Sequence, residues 1–124
     1  MNIKITSTNF DLTPAIEEYI TKKMLMIDKF FKENEEVLCE VEIGKTTNRH
    51  KSGDIFKAEV NMSCEGSQFY CVVEKDDLYA SIDEVKDGVE RSVVSDKTKK
   101  ITLFRKGSGK IKALLKRLYN RKND

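Results

Sequence analysis

The 124-residue chain has one histidine, three cysteines and one proline, and these shortages remove whole classes of function. With His50 alone, no His/Glu metal pair can be assembled, and a single imidazole cannot serve both as ligand cluster and as base. No phosphate-cradling glycine-rich loop and no nucleophile elbow occurs. Carboxylates are plentiful, but Glu40, Glu42 and Glu59 fall on outward positions of strand patterns, where solvated charge is the default. Catalysis is therefore not expected, nor any cofactor or metal. Cys39, Cys64 and Cys71 are odd in number, widely spaced and set in apolar alternating runs, which predicts buried reduced thiols rather than zinc ligands. No apolar run approaches the roughly 20 residues of a membrane span. Met1 is followed by Asn-Ile-Lys-Ile without the basic-then-apolar pattern of a signal peptide, so a cytoplasmic protein is expected.

What is present is charge, unevenly placed. Residues 1–96 hold 12 Lys/Arg against 20 Asp/Glu, whereas residues 97–124 hold 11 against one, so the net of +2 conceals −8 followed by +10. A folded acidic portion ending in a concentrated basic segment predicts attraction to a polyanion: RNA, DNA or an anionic membrane. The plainer reading is a solubilising tail. Lysines near a helix C-terminus also compensate the helix dipole, which accounts for one of the three at 97–100 but not for the cations beyond.

The length suits one domain of about 90 to 100 residues with an appendage. Ile3 and Ile5 alternate with Lys4 and Thr6 as in a short strand. Thr13 then suits an N-cap and Pro14 a first helical position, and Ile16, Ile20, Met24, Ile27 and Phe31 recur at helical spacing. Two long alternating runs follow, Val37 to Ile43 and Phe56 to Cys64. Glu65-Gly66-Ser67 turns tightly into a third, with Phe69, Cys71 and Val73 inward. A second helix begins near Asp76 or Asp77 and carries the stripe Leu78, Ile82, Val85, Val89 and Val93; Gly88 inside it makes the helix lean on its packing.

The expected architecture is α+β, in the order β-α-β-β-β-α. The first two strands are parallel neighbours across a crossover, the later hairpins are antiparallel, and one face of a four-stranded mixed sheet is covered by both helices. That domain is expected over residues 1–100. Residues 101–124 read as a basic flexible or amphipathic tail in which Ile111, Leu114, Leu115 and Leu118 form an apolar side.

Three stretches in order carry a resemblance: Phe10-Asp11-Leu12-Thr13-Pro14-Ala15-Ile16 with Tyr19 and Lys22-Lys23, the stretch from His50-Lys51 to Ala58-Glu59-Val60, and Asp77-Leu78-Tyr79-Ala80-Ser81-Ile82-Asp83 with Val89-Glu90-Arg91. Together they resemble the short form of the ribosome hibernation promoting factor family, also called ribosome-associated inhibitor A or protein Y and earlier grouped as sigma-54 modulation proteins. The resemblance implies a fold shaped like double-stranded RNA-binding domains. It also implies a non-enzymatic inhibitor of translation that binds the small ribosomal subunit and occludes the messenger and tRNA decoding sites under stress or in stationary phase.

On this reading the RNA-facing residues are Lys22, Lys23, Lys29, Arg49, His50, Lys51, Lys86, Arg91, Lys97, Lys99, Lys100, Arg105 and Lys106. Family members usually carry more basic residues on the exposed face of the second helix, where this chain has Gly88 and Ser95. The basic tail is expected to supply the phosphate contacts that helix gives up. The long form's additional dimerisation domain has no counterpart, so a monomer is expected, with any pairing of ribosomes left to a separate ribosome-dimerising factor. Two other classes fit the charge pattern: a membrane-surface protein inserting the tail's leucines, and a protein-interaction module docking the tail in a groove.

Overall fold

The computed structural model describes residues 1–47, 53–104 and Arg117. Alternation sets the strands: β1 is Asn2–Thr8, β2 is Val37–Thr47, β3 is Asp54–Cys64 and β4 is Ser67–Lys75. Their order in the sheet is β1-β2-β3-β4. β1 runs parallel to β2, with Ile3 beside Cys39, and the other two pairings are antiparallel. The crossover and the mixed sheet are as the sequence predicts. The turn between β3 and β4 is the two-residue pair Glu65-Gly66 with φ of 47° and 85°. Two positive φ values match the twist of the flanking strands.

Each strand turns one set of residues inward. Cys39, Val41, Ile43, Val60, Met62 and Phe69 form a buried layer beneath two helices, α1 (Pro14–Leu25) and α2 (Leu78–Phe104). The Thr13 hydroxyl accepts from the backbone N–H of Ile16 at 3.2 Å and caps α1, with Pro14 first in the helix. Of the two candidate caps for α2 it is Asp77 that accepts from the Ala80 N–H, at 3.0 Å. Ile16, Ile20 and Met24 from α1 meet Ile82, Val85, Val89 and Val93 from α2 over the sheet.

Three local features depart from expectation. The first helical stripe does not run through to Phe31: α1 stops at Leu25, and a 3-10 turn, Asp28–Phe30, follows. Its tighter three-residue spacing buries Ile27, Phe30 and Phe31 together, where a continued α-helix would have turned Phe30 off the stripe. Second, the change of composition after Asp96 leaves no break in the backbone, and α2 continues past Lys100 to Phe104. The spacing of four that joins Val85, Val89 and Val93 extends through Lys97 to Ile101, so the apolar side of the helix is still in use there.

Third, Gly88 is half-buried, at the border between the exposed side of α2 and its contact with β4. A Cβ built on it would lie 2.5 Å from the Cys71 sulfur, so the missing side chain is what lets α2 settle onto β4. The basic loop with Arg49, His50 and Lys51, the residues Arg105 and Lys106, and the leucine pattern from Ile111 to Leu118 lie outside the described residues.

Candidate nucleic-acid interface

Cations that flank an apolar stripe are drawn into the structure, whereas those opposite it stay in solvent. On α1, Tyr19 and Lys23 sit one turn apart on the side facing α2. The Tyr19 hydroxyl donates to Asp83 at 2.5 Å, the Lys23 ammonium lies 3.2 Å from the same carboxylate, and Tyr79 meets the Tyr19 ring edge-on at 4.8 Å. The hydrogen bond to Asp83 holds both the Tyr19 hydroxyl and the Lys23 ammonium above their ordinary pKa values. This cluster bolts α1 to α2 and spends most of Lys23 in doing so.

A second cluster fixes the far half of α2. Lys97 lies 3.0 Å from Glu35 and 5.0 Å from the centre of the Phe31 ring. Glu35 also accepts from the Lys32 backbone N–H at 2.9 Å and from the Cys64 thiol at 3.2 Å. Burial pushes the Glu35 carboxyl up, but the Lys32 N–H, Lys97 and Cys64 together bring it below the usual glutamate value. Such a group stabilises the fold above its unfolded pKa of about 4.3 and loses that contribution as pH falls through its folded value. Glu35→Gln is expected to cost about 1 to 2 kcal/mol at neutral pH, and almost nothing once Glu35 is protonated in the parent chain. Urea unfolding at neutral and at strongly acidic pH measures both; a cost that does not change with pH rules the carboxylate out as the source.

Burial, and secondarily Glu35, raises the Cys64 thiol to about 11; burial raises Cys39 to about 12. Both remain protonated at neutral pH and neither is a nucleophile. Among the described residues no group of three or more His, Cys, Asp or Glu is placed to hold a metal.

The sequence-predicted cations therefore divide. Lys86, expected on the RNA-facing side, is instead buried, its ammonium 3.2 Å from Glu90 and 3.6 Å from Asp87. Lys23 and Lys97 are held in the clusters above, and Lys29 lies half-buried in the 3-10 turn, 5.5 Å from the Phe30 ring centre. Lys22, Arg91 and Lys99 are exposed and make no ion pair among the described residues. Lys100 is exposed although it touches Asp96 at 3.1 Å and the Ser67 hydroxyl at 3.0 Å.

Lys32 was not singled out from the sequence, yet it lies exposed on the rim of a cavity of about 490 Å³ beside the end of α2. Lys97, Lys100 and Arg117 line the same cavity, over a floor that includes Phe30, Phe31 and Phe69. The signal for Lys32 was its place directly after the two phenylalanines. Five of the thirteen candidates, Arg49, His50, Lys51, Arg105 and Lys106, lie outside the described residues.

The opposite side of the sheet has another character. One row across it reads Lys4, Glu40, Asn61 and Tyr70, the next Thr6, Glu42, Glu59 and Val72. The Tyr70 hydroxyl donates to Glu59. This face is predominantly acidic, with Lys4 an exposed cation at its edge, whereas Lys22, Lys32, Arg91, Lys99 and Lys100 sit on or beside the helices. No described helix is long and apolar enough to cross a membrane.

The profile of the family described as sigma 54 modulation protein / S30EA ribosomal protein matches residues 3–101. A ribosome hibernation promoting factor from Klebsiella oxytoca is 27% identical over 99 residues, covering 80% of this chain and 96% of the relative. One from Azotobacter vinelandii is 25% identical over 101 residues, covering 82% and 87%. Among solved structures, the N-terminal domain of Thermus thermophilus protein Y superposes with a TM-score of 0.64 at 28% identity, covering 75% of this chain and 96% of that domain. A ribosomal subunit interface protein from Coxiella burnetii shares the fold with a TM-score of 0.59 at 21% identity, covering 79% and 99%. A match spanning both helices and all four strands, joined to this sheet order, places the chain in the sigma 54 modulation protein / S30EA ribosomal protein family, whose members are non-enzymatic ribosome-binding factors.

Proposed function

We propose that this chain is a ribosome hibernation factor that binds the small ribosomal subunit and occludes its messenger and tRNA decoding sites under stress or in stationary phase. The observation that carries the reading is the match of residues 3–101 to a family whose similar relatives are named ribosome hibernation promoting factors. The geometry supports it: Lys22, Arg91, Lys99 and Lys100 are exposed on two helices locked together, and a rigid body with basic helix faces suits structured RNA, where shape and phosphate contacts dominate. Occlusion requires no reacting group. The likeness to double-stranded RNA-binding domains belongs to the same reading, as does a cytoplasmic location.

Co-sedimentation of the purified chain with small subunits across a salt series, with and without tRNA and messenger, tests it. Binding is expected to fall with salt and to be displaced by tRNA. Absence of binding at low salt overturns the proposal, as does binding that tRNA leaves untouched; capture on anionic vesicles in its place would favour the membrane reading.

A further inference from the structure

Sheet edges that remain monomeric are normally guarded by charge, proline, a bulge or a covering segment. Among the described residues β4 is paired on one side only, to β3. From Ser67 to Val73 it has no charge and no proline, and its register against β3 is unbroken by any bulge. Tyr70 and Val72 are 56% and 42% exposed along it. The other edge, β1, carries Lys4 at its middle.

The two-residue turn decides which backbone groups of β4 face the unpaired side. Ser67 and Cys64 close the hairpin as a hydrogen-bonded pair, so Ser67, Phe69, Cys71 and Val73 aim their backbone at β3. Gln68, Tyr70, Val72 and Glu74 then aim theirs outward.

We infer that β4 pairs antiparallel with β4 of a second copy of this chain, in a register centred on Cys71. That register sets Tyr70 opposite Val72 of the second copy and Gln68 opposite Glu74, so all four outward residues find hydrogen-bonded partners and no like charges face each other. Sliding by two residues in either direction takes Gln68 or Glu74 out of the ladder, and sliding by one sets outward backbone groups against inward ones. The two Tyr70 and two Val72 side chains gather into one apolar cluster on the open face.

The layer above is complementary in the same geometry. Gly88 lies over Cys71, so the two-fold axis at Cys71 passes beside the middle of α2 and lays two copies of that helix side by side and antiparallel. Glu84, whose carboxylate also meets Lys75 of its own β4 at 3.1 Å, precedes Gly88 by one turn and Arg91 follows it by about one turn, both exposed. The axis therefore brings Arg91 of each copy to Glu84 of the other. The dimer departs from the expected monomer and covers Arg91, so self-pairing and any RNA contact through Arg91 exclude one another.

Sedimentation velocity of the full chain at physiological salt, from micromolar to millimolar concentration, tests the inference. A reversible monomer–dimer equilibrium is expected. Val72→Lys, at an exposed position, is expected to weaken the dimer by about tenfold or more, because it brings cations onto both strands at the joint. Glu84→Arg and Arg91→Glu should each weaken it, and the double variant should restore it. Circular dichroism melts check that each variant folds, and the charge exchange carries the test should Val72→Lys fail to fold. A monomer throughout the concentration range overturns the inference. So does a dimer indifferent to the edge lysine and to the charge exchange.

Discussion

Gly88→Ala is expected to destabilise the fold by about 2 kcal/mol, although helix propensity alone would make it stabilising by about 1 kcal/mol. The two effects have different addresses. Propensity belongs to the helix, whereas the penalty belongs to the contact with Cys71, whose sulfur lies 2.5 Å from where the new methyl would sit. Real Cβ atoms do not approach that closely, so α2 must lift from β4 or the half-buried Cys71 thiol must leave its place against the core. A lifted helix loosens the contacts of Val85 and Val89 on either side. Cys71→Ala supplies the check, because removing the sulfur should recover most of what Gly88→Ala loses. Chemical unfolding of the two single variants and the double variant measures the coupling; additive losses would locate the cost elsewhere.

Removing residues 105–124 is expected to weaken ribosome binding by about a hundredfold or more near physiological salt and to flatten the dependence of log affinity on log salt by about 3, as follows if half of the eight cations lost meet phosphates. The prediction rests on the proposed function and on the position of the segment, which continues directly from the helix end bearing Lys97, Lys99 and Lys100. Lys97 is committed to Glu35 and Lys86 to Glu90, so the cations left in solvent on α2 are few for a polyanion. A truncated chain that binds with unchanged affinity and slope would remove the tail from the interface and return the burden to Lys22, Arg91, Lys99 and Lys100.

Alternation and helical spacing were enough to order the elements, orient the first two strands and assign the buried faces, because one-sided burial leaves its period in the residues. The availability of the cations was only half legible. Lys97 continues the spacing of Val85, Val89 and Val93 and Lys86 follows Val85 directly, so their removal from solvent could be read from the stripe. Their counting as RNA-facing came from charge alone. The partners Glu35 and Asp83 could not be read, since they reach Lys97 and Lys23 across the fold and leave no local pattern. Gly88 was misplaced for the same reason: its neighbour Cys71 belongs to a strand whose crossing point with α2 no periodicity specifies. The 3-10 turn was hidden because Ile27 and Phe31 are buried in either geometry, and Phe30 alone distinguishes them.

The acidic rows of the open sheet face bear on how the molecule travels as well as on what it touches. Glu40, Glu42 and Glu59 lie on the open side of the sheet, and Lys99 and Lys100 lie near the end of a helix about 40 Å long that packs on its other side. In the field of a large polyanion such a body feels a torque before it feels contact, and it drifts inward with the lysine end leading. On the proposed function, carboxylates turned away from the target thereby narrow the range of approach angles. Their influence falls on the rate of productive encounter and fades with salt, while the lifetime of the bound state is left to the residues that lead.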